Sequence, residues 1–263
     1  MPVTAAAVVP HPPLLVPELG RGDSPQLDAL RSACLRAVEA TLLEASALLL
    51  VGDGPVWALA APGAAASFAP YGASVNVALT AAAGRNGHDW LDLERLAEAL
   101  PGVLPAPVLI DELPLSLAIA AWLLASSNHP VPRLVALTVP ASLAGAEAAA
   151  LGRALALAAG PRGRVGLLAM GDLSARRTAG APATLHPGAA AFDRQVGQAV
   201  RDGTPRRLLD LDPALAVTLG VAGLAPLQVL AGALEQVGAV RGEVLYEDAP
   251  YGVGYLVGIL RPS

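Results

Sequence analysis

Nearly all the polar residues of this chain that could do chemistry fall in four short segments. His11 and Glu18 follow the apolar run Thr4 to Val9, and Asp53 follows Ala47 to Val51 within Gly52-Asp53-Gly54. Asp172, Ser174, Arg176 and Arg177 follow Arg164 to Met170, and Tyr251 lies in Glu247 to Gly252. Adjacent arginines beside a pocket can grip a carboxylate or a phosphate through paired N–H donors. Only 15% of the residues are charged, so composition does not force two cations to stand together directly after Asp172 to Ser174. The expectation is a small, anionic ligand anchored by Arg176 and Arg177, with His11 as the polar floor and Tyr251 at the margin. Each residue also has a structural reading. His11, among three prolines, can cap a strand and bond a backbone carbonyl. Asp53 can be a turn residue, because aspartate bonds its own backbone and glycine supplies positive φ. Asp172 and Ser174 can cap the next turn, and the arginines can be a solvated pair. Tyr251 and Tyr255 can be packing residues.

Apolar periodicity supplies the elements that must position these groups. Ser24 reads as an N-cap with Pro25 at the first helical position, and Leu27, Leu30, Cys34, Val38 and Leu42 recur at helical spacing. The short apolar runs Thr4 to Val9, Ala47 to Val51, Arg133 to Val139 and Arg164 to Met170 read as buried strands. Ser74 to Leu79 and Val108 to Ile110 are weaker strand candidates, and Glu243 to Glu247 and Gly252 to Leu260 form a closing pair. Helices are expected at Leu115 to Ala125, Leu143 to Ala159, Pro187 to Val200, Pro213 to Leu219 and Ala225 to Val237. Such alternation implies one α/β domain over residues 1–263, with a mainly parallel sheet covered by helices on both faces. Functional loops then lie at the strand ends and converge on a pocket, so His11, Asp53 and Asp172 should open into a common one.

Composition narrows the function classes. The 263 residues are 54% hydrophobic but only 3% aromatic, and all 17 basic residues are arginine. The absence of lysine excludes Schiff-base chemistry, pyridoxal phosphate attachment and a P-loop lysine. Alanine, glycine, proline and arginine in place of lysine, isoleucine and asparagine read as the coding bias of a GC-rich bacterium. A net charge of −5 without a basic block argues against nucleic acid as a partner. Cys34 is the only cysteine, which excludes disulfides and zinc ribbons and makes a cytoplasmic location the default. The longest apolar stretch, Leu115 to Leu124, is too short to span a bilayer, so no membrane association is expected. A small-molecule ligand and a homo-oligomeric state remain as partners.

The strand Thr4 to Val9 delivering His11 into Pro10-His11-Pro12-Pro13 resembles the start of the class III extradiol ring-cleavage dioxygenases, the LigB-like and Memo-like superfamily. Gly171-Asp172-Leu173-Ser174 is similar to that family's Gly/Ser-Asp-Leu-Ser-His motif, Phe192-Asp193 to the aspartate of its following helix, and Tyr251 to Tyr255 to its closing strand. The resemblance implies a LigB-like three-layer architecture and a non-haem, metal-dependent oxidoreductase acting on a small aromatic or anionic compound. It also implies His11 as an iron ligand, a second ligand position at Asp53, catalytic roles at Asp172 and Ser174, and Fe(II) or another divalent metal as cofactor.

The departures from the family fall on its chemical groups. Asp53 stands where the second ligand histidine would be, Ala175 where the acid/base histidine would be, and Ala222 to Pro226 offers no third ligand. His88, His129 and His186 could take over, with His186 the best placed by sequence. A facial triad needs two histidines and a carboxylate, and losing a general acid/base alone costs roughly a hundredfold in rate. Ordinary extradiol activity is therefore expected to be absent or very weak. The alternatives are a metal-free pseudoenzyme that binds a small anionic or aromatic molecule, and a structural assembly subunit whose apolar helices form an interface.

Overall fold

In a computed structural model, which describes residues 3–20, 24–80, 90–100, 104–143, 145–160, 163–179 and 182–263, nine strands form one mixed sheet. The strands are β1 (Val3–Val9), β2 (Ala47–Asp53), β3 (Ala58–Ser67), β4 (Asn76–Ala78), β5 (Val108–Glu112), β6 (Arg133–Val139), β7 (Val165–Met170), β8 (Val240–Asp248) and β9 (Tyr255–Pro262). The helices are α1 (Pro25–Leu42), α2 (Leu93–Ala99), α3 (Leu115–Ser126), α4 (Gly145–Ala158), α5 (Ala189–Arg201), α6 (Pro213–Leu219) and α7 (Leu224–Leu234).

The sheet runs β4-β3-β6-β2-β7-β1-β9-β8, with β5 paired to β3. Its centre, β6-β2-β7-β1, is parallel. Antiparallel pairing joins β9 to β1, β8 to β9, β3 to β6 and β4 to β3. The parallel expectation thus describes the core and not the flanks, where the closing hairpin and β3 reverse direction.

Side chains alternate across the central strands and fill two hydrophobic cores. Ala6, Val8, Leu49, Val51, Leu167 and Ala169 pack with residues of α4, α5 and α7. Ala7, Val9, Leu48, Leu50, Leu168 and Met170 pack with α1 and α3 on the opposite face. Strands buried on both faces read as unbroken apolar runs, which is why these four were visible in sequence. α1 begins as its cap predicts, with Ser24 Oγ accepting the Leu27 N–H at 3.4 Å and Pro25 in the first turn. The alanine-rich α4 packs against α7, whose residues are all buried.

Two elements escaped the sequence pattern. β3 is mostly alanine, a poor strand former, and is broken by Pro62-Gly63, where the register with β5 shifts and Gly63 has φ +83°. α2 is a short helix that buries only Leu96. Among the described residues no helix is long and apolar enough to cross a membrane.

Candidate functional site

The carboxyl ends of β2, β7 and β1 lie side by side, since Val51 pairs with Ala169 and Met170 with Val9. The three loops that follow therefore bring Asp53, Asp172 and His11 together. Asp172 Oδ1 accepts the backbone N–H of His11 at 2.8 Å and lies 4.0 Å from His11 Nδ1. On the other side of the ring, His11 Nε2 is 3.4 Å from Asp53 Oδ1. The His11 side chain is 7% exposed and that of Asp53 30%. Neither His11 Nδ1 nor Asp53 Oδ1 makes a hydrogen bond of good geometry, although both atoms are buried. Burial pushes the Asp172 carboxyl above the usual carboxylate range. The His11 ring and its N–H oppose that shift, and the Asp53 charge adds to it.

Asp53 is not the turn residue that flanking glycines suggest. It is the last residue of β2, opposite Val139, and neither neighbour has positive φ. Glycine is needed on both sides for close approach: a Cβ at Gly52 would overlap the Ser116 hydroxyl, and one at Gly54 would overlap Thr138. Ser116 Oγ, near the start of α3, donates to the Asp53 carbonyl at 2.7 Å and fixes the end of the strand.

The loop after β7 is held from three directions. Gly171 N–H bonds Val9 O at 2.9 Å, Leu173 N–H bonds Gly254 O at 2.9 Å, and Gly223 N–H bonds Asp172 O at 2.9 Å. Asp193, on α5 and 1% exposed, completes the arrangement: its Oδ1 accepts the Ser174 N–H at 3.0 Å and its Oδ2 accepts Arg177 Nη1 at 2.8 Å. Burial raises the Asp193 pKa, and Ser174 N–H and Arg177 pull it down.

These contacts correct several expectations. Arg177 donates Nη1 to Asp193 and so holds the loop, where a free ligand anchor was expected. Ser174 is fully buried and its hydroxyl accepts the Arg176 N–H at 3.2 Å, a turn contact that leaves it no catalytic access. Arg176 is half-buried and forms no ion pair among the described residues. Tyr251 Oη lies 3.0 Å from Ser24 Oγ at the head of α1. Glu18 is exposed.

The other histidines do not complete the site. His129 Nδ1 is 4.0 Å from Glu39 Oε1, beyond the far end of α3. His186 Nδ1 accepts the Gly188 N–H at 3.1 Å within its own turn. His88 lies outside the described residues. At Ala222 to Pro226, Gly223 packs against Gly171 with no room for a Cβ, and Leu224 and Ala225 are buried. Among the described residues no group of three or more histidine, cysteine, aspartate or glutamate side chains could hold a metal ion. The donor set of His11 and Asp53 thus does not fit the three-ligand iron site that the resemblance implies.

Sequence reasoning named Asp193 and Tyr255 without giving either a place at the site, and it passed over Ser116. Asp193 was visible as the one acid beside Phe192 on the buried face of an amphipathic helix. Ser116 had no signal in sequence. Tyr255 opens β9 directly after Gly254, which bonds Leu173 and Ser174. It is 3% exposed, and burial, with Asp172 as the next cause, pushes its phenol well above its usual range.

No protein-family model and no curated relative matches the chain. Among solved structures it is similar to the crystal structure of an uncharacterized protein, JW3007, from Escherichia coli K12, at a TM-score of 0.59 and 18% sequence identity. That match covers 98% of this chain and 99% of the other. At this identity the likeness shows the fold alone: a mixed α/β sheet with helices.

Proposed function

We propose that this chain is a divergent relative of the class III extradiol dioxygenases, in their LigB-like and Memo-like branch, with a three-layer architecture whose working core is the parallel set β6-β2-β7-β1. In this reading it acts in the cytoplasm on a small phenol-like molecule held at His11 and Asp53. The observation that carries the reading is the pair of buried atoms, His11 Nδ1 and Asp53 Oδ1, that lack hydrogen bonds. Leaving a buried polar group unsatisfied costs about 1–3 kcal/mol, and a ligand hydroxyl that bonds either atom offsets part of that cost. His11 Nδ1, which has no hydrogen-bond partner, is placed to take a proton from such a hydroxyl, and Asp53, 3.4 Å from Nε2, is placed to stabilise the imidazolium that results. The site supports binding and proton transfer, while ordinary ring cleavage lacks two of the family's metal ligands and its acid/base histidine.

Two measurements test this. Thermal-shift screening against simple phenols should stabilise the wild type and not His11→Gln. Anaerobic loading with Fe(II), followed by oxygen and a catechol panel including protocatechuate, should yield no ring-cleavage product. Robust product would restore an oxidative reading, and the absence of any phenol-induced shift would sink the site assignment.

A further inference from the structure

The charges around His11 are uneven, and the imbalance names a ligand class. Two carboxylates, Asp53 and Asp172, flank one imidazole at 3.4 and 4.0 Å. Two arginines of the surrounding elements are spent elsewhere: Arg31 donates to Asp28 at 2.6 Å and to the Leu15 carbonyl at 2.9 Å, and Arg177 is paired with Asp193, while Arg176 forms no ion pair among the described residues. The acceptor left without a donor is a carboxylate oxygen, Asp53 Oδ1, and the ring beside it is more than nine-tenths buried with Nδ1 unpartnered. An anion brought here would face the Asp53 carboxylate beside a buried ring, which raises its cost. A cation would be drawn in by the same carboxylate and would supply the missing donor.

We propose that the His11 site takes a small aromatic molecule carrying an ammonium-type group, donated to Asp53, and discriminates against the carboxylate-bearing counterpart. This rests on the reading of the His11 cluster as the ligand site. It also reverses the expectation of an anionic ligand, which rested on Arg176 and Arg177 acting as a pair, since Arg177 is bonded to Asp193. Tyr255 lies beside the Asp172 loop, and Tyr246, whose buried hydroxyl has no hydrogen-bond partner, packs into the same hydrophobic core on the α1 face.

The test uses three probes of one shape and three charges: tyramine, 4-methylphenol and 4-hydroxyphenylacetate, titrated calorimetrically into the full chain at pH 7. Tyramine is expected to bind most tightly and 4-hydroxyphenylacetate most weakly, with about tenfold between the amine and the neutral phenol, as one charge-assisted hydrogen bond provides. Asp53→Asn should abolish that preference, read as the ratio of tyramine affinity to 4-methylphenol affinity in the same variant. Arg176→Ala should leave tyramine affinity unchanged. If the acid binds as well as the amine, or Asp53→Asn keeps the amine preference, the cation assignment is overturned while the site stands. If Arg176→Ala weakens binding of a preferred acid, the anionic reading replaces it. If none of the three binds, the site reading fails and this inference falls with it.

Discussion

Replacing Arg177 with methionine isolates what the Asp193 contact does for the site. Methionine keeps the aliphatic bulk and removes the donor at 2.8 Å, leaving a carboxylate that is 1% exposed with only the Ser174 N–H on its other oxygen. Breaking a buried pair by removing one partner costs roughly 3–5 kcal/mol, but the carboxyl can escape by taking up a proton, which sets a ceiling. For a carboxyl of ordinary pKa 3.8, protonation costs roughly 4 kcal/mol at pH 7 and roughly 1.6 kcal/mol at pH 5. Arg177 is 24% exposed, so part of its effect is already screened, and about 2–4 kcal/mol is expected at pH 7. The sign follows from linkage. A carboxyl raised in the folded state binds more protons folded than unfolded, so its contribution to stability falls as pH rises from the unfolded value through the folded one. Arg177→Met raises it further, so the deficit should widen from pH 5 to pH 7. Urea unfolding followed by tryptophan fluorescence at both pH values measures this. The double variant Arg177→Met, Asp193→Asn should recover most of the loss, because removing both partners leaves no orphaned charge. An equal deficit at the two pH values, or no recovery in the double variant, would refute the reasoning.

Three further outcomes are expected. Asp172→Ala should cost about 1–3 kcal/mol, because the buried His11 N–H loses its acceptor at 2.8 Å, whereas Asp172→Asn retains an oxygen there and should cost markedly less; urea midpoints for the two variants decide it. Gly52→Ala should destabilise by about 1–3 kcal/mol through overpacking against Ser116, and Ser116→Ala should relieve part of that loss in the double variant, read as Tm. Cys34 is fully buried, and burial pushes its thiol far above the usual range, so a disulfide reagent should modify it only after denaturant is added; fast modification of the native protein would contradict the burial.

Patterns written over a few neighbouring residues were legible in the sequence. The cap at Ser24, the helical spacing of α1 and the four continuous apolar strands of the sheet centre depend on local periods, as does the placement of His11, Asp53 and Asp172 at strand ends. Order along the sheet was decided by tertiary structure, because pairing joins stretches that no local pattern connects: His11 meets Asp172 across 161 residues. β3 joined the sheet through its neighbours despite a composition poor in strand formers. The roles of the arginines were settled in the same way, since a sequence shows that Arg177 is a cation but not that a buried acid on α5 lies 2.8 Å away. Charge is a property of the residue, whereas its availability to a ligand is a property of what packs beside it.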